Sequence, residues 1–201
     1  MHITDLAQLR ALYAAPQERA VKKQLASLDV HCQRFIALSP FVVLASAAAA
    51  GDMDASPRGG AAGFVKCVDR HTLLLPDAPG NNRLDSLENI VVTGRVGLLF
   101  LVPGVDETLR VNGLAALSLD PLHIARCTDE RRAPVLVIRV TVQAAYLHCA
   151  KALMRSSLWS PLAQVARSAL PSAGQMLRDH TGIQTPLETP EEMRQRYEPD
   201  L

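Results

Sequence analysis

The 201-residue sequence lacks the features that mark nucleic-acid-binding and membrane-spanning proteins. Its 21 Lys and Arg residues are balanced by 20 Asp and Glu, so the net charge of +1 gives no overall attraction for nucleic acid. The longest apolar run, Phe41 to Ala50, is well below the roughly 20 residues that a membrane-spanning helix needs. We therefore expect a soluble protein with neither a nucleic-acid nor a membrane partner.

Cysteine is scarce and widely spaced. The four cysteines are Cys32, Cys67, Cys127 and Cys149, and they form no CxxC pair. Histidines precede Cys32 and Cys149, but adjacent residues rarely have the spacing of a zinc site. The N-terminus also lacks the apolar core of a leader peptide. The pattern predicts reduced, mostly buried thiols in a cytoplasmic protein, with no metal site.

The common nucleotide and hydrolase motifs are missing as well. There is no GKS or GKT phosphate loop, no G-x-S-x-G elbow and no HExxH. Gly59 to Gly63 ends in a G-G-x-x-G pattern, but a dinucleotide site needs a helix after the glycines. Phe64 to Val68 is typical of a strand instead, which excludes a Rossmann-type site.

What the sequence does contain is a set of short apolar runs separated by polar turns. These runs predict six strands, at Phe41–Ala48, Phe64–Val68, Thr72–Leu75, Val96–Val102, Thr108–Ser118 and Val135–Tyr146. Helical spacing predicts a helix at Ile3–Ala15 and, after Pro16, a second helical stretch that runs through Leu25 and Leu28. It predicts further helices at Asp29–Leu38, Asn82–Gly94, Asp120–Asp129, Lys151–Leu158 and Ser172–Asp179. The C-terminal stretch is predicted to be an extended arm, because it is densely charged and contains Pro186, Pro190 and Pro199.

Two polar segments could meet as a phosphate site. Asn82 is a suitable N-cap for the helix that follows, so free N–H groups and a positive dipole end would lie beside Arg83. Asn82 is equally well explained as a cap alone. Ser56 and Arg58, followed by two glycines, offer a hydroxyl, a guanidinium and open backbone. As an alternative, both arginines would be ordinary surface residues.

Several ordered motifs resemble one family. The motifs lie between about Asp29 and Pro161 and are SPRG, PGNNRLDSLENI, RVGLLFLVPG, ETLRVNG and HCAKALMRSSLW. Together they resemble the pyridoxamine 5'-phosphate oxidase-like flavoproteins, in the branch with SPRG and PGNNRLDSL motifs. The Arg-x-x-x-Leu-Lys and Ser-Arg-Lys segments of the oxidase itself are replaced by SPRG and NNRLDS.

The resemblance implies a mainly β (α+β) fold, a six-stranded antiparallel split β-barrel with peripheral helices, that forms a homodimer with FMN at the subunit interface. The domain would span residues 29–161, between an N-terminal helical segment at 1–28 and a C-terminal helix and extended arm at 162–201. The implied FMN-binding residues are Ser56, Arg58, Phe64, Val65, Asn82, Arg83, Ser86, Lys151, Arg155 and Trp159.

Three of those residues belong to the segment that closes over the flavin in similar proteins. Lys151, Arg155 and Trp159 recur at i, i+4 and i+8, so a continuous helix would place them on one face. A cation there would stabilise the anionic reduced ring. The alternative for Trp159 is core packing. Arg110 is interpreted as an ion-pair partner for Glu107 or Asp106.

The resemblance favours an FMN-dependent oxidoreductase that passes hydride between a small organic substrate or reduced donor and FMN. A non-catalytic FMN carrier or sensor is the alternative, and pyridoxal phosphate or haem in the same barrel is a third hypothesis. No catalytic acid or base can be identified from the sequence.

Overall fold

The computed structural model describes residues 2–78, 80–129, 132–184 and 186–200. Its strands are β1 (Phe41–Ala47), β2 (Met53–Gly59), β3 (Lys66–Cys67), β4 (Thr72–Pro76), β5 (Arg95–Leu101), β6 (Thr108–Ser118) and β7 (Val137–His148). Its α-helices are α1 (Leu6–Ala11), α2 (Glu18–Lys22), α3 (Val30–Leu38), α4 (Asp85–Thr93), α5 (Pro121–Cys127), α6 (Lys151–Ser156), α7 (Ala173–Thr181) and α8 (Pro190–Tyr197). Three short 3₁₀ turns complete the described elements, at Pro161–Ala163, Arg167–Ala169 and Glu198–Asp200.

All seven strands join one antiparallel sheet in the order β2-β1-β5-β6-β7-β4-β3. The sheet forms the split barrel of an α+β fold, as the sequence predicted, with seven strands where six were expected. Alternate residues of β1 and β5 face inward, and Val42, Leu44 and Phe100 are completely buried. Helix α3 adds Ile36 to the same core.

The additional strand is β2, in a stretch that its glycines and proline made resemble a loop. All seven of its residues pair with β1, and Ser56 lies opposite Leu44. Pro57 is tolerated because β2 is an edge strand, where one side of the backbone has no ladder to donate to. Arg58 therefore lies in a strand and not in one of the polar turns that the sequence predicted between apolar runs.

Helix α4 begins later than predicted. Its N-cap is Leu84, in the left-handed conformation with φ 60°, so Asn82 is not the cap. The expected strand Phe64–Val68 is also shorter, since only Lys66 and Cys67 pair as β3.

Helix α6 ends at Ser156, and Ser157 follows with φ 50°. Trp159 is therefore outside the helix, and the expected helical face shared by Lys151, Arg155 and Trp159 does not form.

The two ends of the chain also differ from prediction. Helix α2 ends at Lys22, and Leu25 forms an isolated antiparallel bridge with Ala145 instead of continuing a helix. Near the C-terminus, α8 occupies part of the expected extended arm. Pro190 fits there because the first turn of a helix needs no N–H from it. No helix among the described residues is long and apolar enough to cross a bilayer.

Candidate functional site

Strand β2 presents three polar residues to the inside of the sheet. Asp54, Ser56 and Arg58 lie opposite Ser46, Leu44 and Val42, whose side chains are buried. Because direct neighbours in a ladder point to the same face, these three side chains point toward the barrel interior. The SPRG motif therefore places Arg58 in a partly enclosed position.

Arg58 is held by a partner that is distant in the sequence. Its Nη1 donates to Asp77 Oδ1 at 3.0 Å, and the two side chains are only 18% and 17% exposed. Its Nε is buried and has no acceptor among the described residues. Asp77 was not a predicted site residue, because the sequence offered no sign that β2 would run beside residues after β4.

Ser86 connects α4 to β2. Its side chain is 3% exposed and its hydroxyl donates to Asp54 Oδ2. Nearby, Asn89 Nδ2 donates to Ser46 Oγ at 3.0 Å, which fastens the same helix to β1. The hydroxyl proton of Ser86 is therefore already used in a hydrogen bond within the protein. Asp54 was missed because its inward orientation depends on β2 being a strand.

The loop before α4 carries Arg83 within electrostatic reach of Asp54 on β2. Asn82 has φ 59°, and the backbone N–H of Arg83 donates to Asn81 Oδ1 at 3.1 Å. Arg83 itself is 73% exposed, and its Nε donates to Asp85 Oδ2 at 2.8 Å. This hydrogen bond and the charge of Asp85 raise the pKa of Arg83.

The start of α4 has no side-chain cap. Its N-cap residue is Leu84, whose apolar side chain offers no acceptor. The first backbone N–H groups of a helix have no partner within the helix, so this end can receive an anionic group. Asp85 and Glu88 in the first turn already contribute negative charge there.

Phe64 and Val65, the two apolar residues predicted to bind FMN, pack in and against the main core. Val65 is 3% exposed and belongs to the main core, and Phe64 is partly buried against that core. A Cβ at Gly60 would lie 2.9 Å from the Phe64 side chain, so a glycine is needed for the chain to pass so closely.

The Lys151–Trp159 segment is anchored at the turn between β5 and β6. Trp159 Nε1 donates to the carbonyl of Val105, in the β5–β6 turn, at 2.9 Å. Within the described ranges, no side-chain hydrogen bond or ion pair joins Lys151, Arg155 or Trp159 to the residues around Arg58 and Arg83. One chain therefore brings together two of the three predicted segments.

Arg110 has a different neighbour from the one expected. Its guanidinium lies 5.6 Å from the centre of the Tyr146 ring, and no ion pair with Glu107 or Asp106 is found in the described part of the chain. It is therefore placed by a cation–π contact across the β6–β7 ladder.

Comparisons with known proteins agree with the motifs. A family model described as pyridoxamine 5'-phosphate oxidase matches residues 28–149, more than half of the chain. No curated protein sequence matches this one.

Solved structures give weaker likenesses. The tagged HupZ protein of Group A Streptococcus has 15% identity and a TM-score of 0.49, covering 60% of this chain and 93% of its own. An FMN-binding protein from Syntrophomonas wolfei has 11% identity and a TM-score of 0.47, covering 57% and 81%. A Clostridium acetobutylicum protein related to general stress protein 26 has 9% identity and a TM-score of 0.46, covering 59% and 86%. Since all three TM-scores are below 0.5, the assignment depends on the match of residues 28–149. The chain belongs to the pyridoxamine 5'-phosphate oxidase family.

Proposed function

We propose that this protein binds FMN, with the phosphate received between Arg58 and the beginning of α4. The observation that carries the proposal is the buried Nε of Arg58, which has no acceptor among the described residues. A buried donor without an acceptor costs about 1–3 kcal/mol, and a phosphate oxygen is an acceptor that would remove this cost.

The neighbouring groups fit a phosphate. Arg83 offers a second guanidinium, and the uncapped start of α4 offers backbone N–H groups. The side-chain hydroxyl of Ser56 is engaged in no hydrogen bond within the described part of the chain, and it shares the inward face of β2 with Arg58. Asp77 and Asp85 already bind the two guanidiniums, so a phosphate would have to share or replace these partners.

We further propose that the bound cofactor makes the protein an oxidoreductase. FMN, when bound, supplies the chemistry of hydride acceptance and transfer. The protein would bind and orient it, and Lys151 or Arg155 would provide positive charge near the ring. The test is anaerobic mixing of the FMN-loaded protein with NADH or NADPH: loss of the 450 nm flavin band, restored by air, supports turnover.

One observation favours a non-catalytic carrier as a second candidate. The carboxylates around the proposed phosphate site, those of Asp54, Asp77 and Asp85, each accept a hydrogen bond from a protein side chain, which gives all three a structural role. Tight FMN binding without reduction by either nicotinamide donor would favour this candidate.

We propose that two copies assemble into a homodimer. The outer face of the sheet carries small residues in register, with Ala55, Ala45 and Gly97 on neighbouring strands. Beside them, Phe41 is 36% and Met53 is 74% exposed. Exposed apolar residues on one face of a sheet are typical of a protein–protein contact.

Dimerisation would also supply the missing third segment. Since no hydrogen bond or ion pair in the described ranges joins Trp159 to the Arg58 region of its own chain, we propose that the Lys151–Trp159 segment of one subunit covers the flavin bound by the other. Co-expression of Arg58→Glu and Trp159→Ala chains tests this arrangement. A heterodimer should retain one full-affinity FMN site, whereas two equally weakened sites would contradict it.

A further inference from the structure

A concave surface outside the proposed flavin site lies between α3, β3 and α5. Its volume is about 510 Å³, within the range of small-molecule sites. Ala37 and Val65 contribute apolar surface, and Cys67 adds a partly buried thiol. Neither the arginine pair described above nor the start of α4 lines this cavity.

Three cations from three different elements line the cavity: Arg34 on α3, Lys66 on β3 and Arg126 on α5. No Asp or Glu is among the lining residues. In the described ranges, none of these cations takes part in an ion pair. Positive charge is therefore concentrated here in a chain whose net charge is only +1.

Two of these cations, Lys66 and Arg126, lie near the same buried thiol. Lys66 Nζ donates to the Gly63 carbonyl at 2.9 Å, which holds the ammonium in place and leaves two of its protons free. Burial raises the pKa of the nearby Cys127 thiol, while the charges of Lys66 and Arg126 act in the opposite direction. Both cations are thus close enough to the same buried atom to affect its ionisation.

We infer that this cavity binds the phosphate group of a small phosphorylated molecule with an apolar body. Two guanidiniums and an ammonium can donate several charge-assisted hydrogen bonds to a dianion. The apolar wall formed by Ala37 and Val65 suits the body of such a ligand. The inference does not depend on FMN binding, because neither Arg58 nor Arg83 lines this cavity. Val65, which the resemblance implied as an FMN contact, lines this cavity instead.

Calorimetric titration with phenyl phosphate tests the inference, using full-length protein with FMN present in excess. Arg34→Gln and Arg126→Gln should each weaken binding about tenfold, the effect of losing one charged contact of about 1.4 kcal/mol. Arg10→Gln is the matched control, since Arg10 is an exposed arginine on α1 away from the cavity, and it should leave the affinity unchanged.

Two further comparisons sharpen the test. Benzoate, with one negative charge, should bind at least about tenfold more weakly than phenyl phosphate at pH 7.5. Binding of phenyl phosphate should weaken as the pH falls below the second phosphate pKa of about 6.

Equal affinity of wild type, Arg34→Gln and Arg126→Gln would overturn the inference. Displacement of FMN by phenyl phosphate would also overturn it, because the cavity would then be the flavin's own phosphate site. Failure to bind FMN would contradict only the proposed function.

Discussion

Arg58 and Asp77 are joined by a 3.0 Å hydrogen bond from Nη1 to Oδ1, and each side chain is more than four-fifths buried. The pair ties the edge strand β2 to the chain that leaves β4. The pair favours the folded state but opposes anion binding, because the carboxylate that stabilises Arg58 also competes with any anion that Arg58 receives.

Asp77→Asn should therefore destabilise the fold while strengthening FMN binding. Loss of the charged acceptor leaves Arg58 under-satisfied, which we expect to lower the free energy of unfolding by about 1–3 kcal/mol. Urea unfolding and FMN titration measure the two effects. Asp52→Asn, at an exposed residue between β1 and β2, is the control and should change neither. If Asp77→Asn weakens FMN binding in a folded protein, Arg58 does not receive the phosphate.

Ser86→Ala should affect stability more than flavin binding. The buried hydroxyl donates to Asp54, so its removal leaves a carboxylate oxygen without that partner and should cost about 1–3 kcal/mol in urea unfolding. Ser56→Ala, on the same inward face of β2, is the matched control and should change stability by less than about 0.5 kcal/mol. A large loss of FMN affinity with unchanged stability would instead assign Ser86 to the cofactor.

Gly113 should tolerate no side chain. An added Cβ would lie 2.2 Å from the Thr141 carbonyl oxygen, at the register shift between β6 and β7. We expect Gly113→Ala to lower the urea midpoint by the equivalent of more than about 3 kcal/mol. At Gly97, the nearest atom would be 3.4 Å away, so Gly97→Ala should cost much less. Similar midpoints for both variants would contradict this description of the bulge.

Arg83→Ala should weaken FMN binding by about 1.5–3 kcal/mol, the value of a charged hydrogen bond, and leave riboflavin affinity almost unchanged. Arg83 is 73% exposed, so its loss should not disturb folding. Arg95→Ala, at the start of β5, is the control. An equal loss for FMN and riboflavin would mean that Arg83 supports the loop and does not contact the phosphate.

The sequence predicted most of the sheet because its strands are apolar runs between polar turns. It missed β2, since the alternation in Met53–Gly59 is masked by a glycine and by a proline, and only an edge strand accommodates the proline. The error at Asn82 has a similar origin. A good capping side chain predicted the helix start, but the chain adopts left-handed backbone at both Asn82 and Leu84 before α4 begins.

The candidate site was predictable in part. Arg58 and Arg83 were identified from motifs, and the structure brings β2 and the start of α4 together through Asp54 and Ser86. The partner of Arg58 was not predictable, because Asp77 is 19 residues away and follows a strand, β4, that does not pair with β2. The position of Trp159 was missed because helical spacing was extended past Ser157, where the left-handed backbone ends α6.

Titration of the purified protein with FMN and with riboflavin, followed by quenching of flavin fluorescence, tests the central claim most directly. If the phosphate is bound by Arg58, Arg83 and the start of α4, FMN should bind at least about a hundredfold more tightly than riboflavin, corresponding to roughly 2.7 kcal/mol. The difference should shrink as salt is added, because it depends on charge. Equal affinities for the two flavins, or no binding of FMN at all, would contradict the claim.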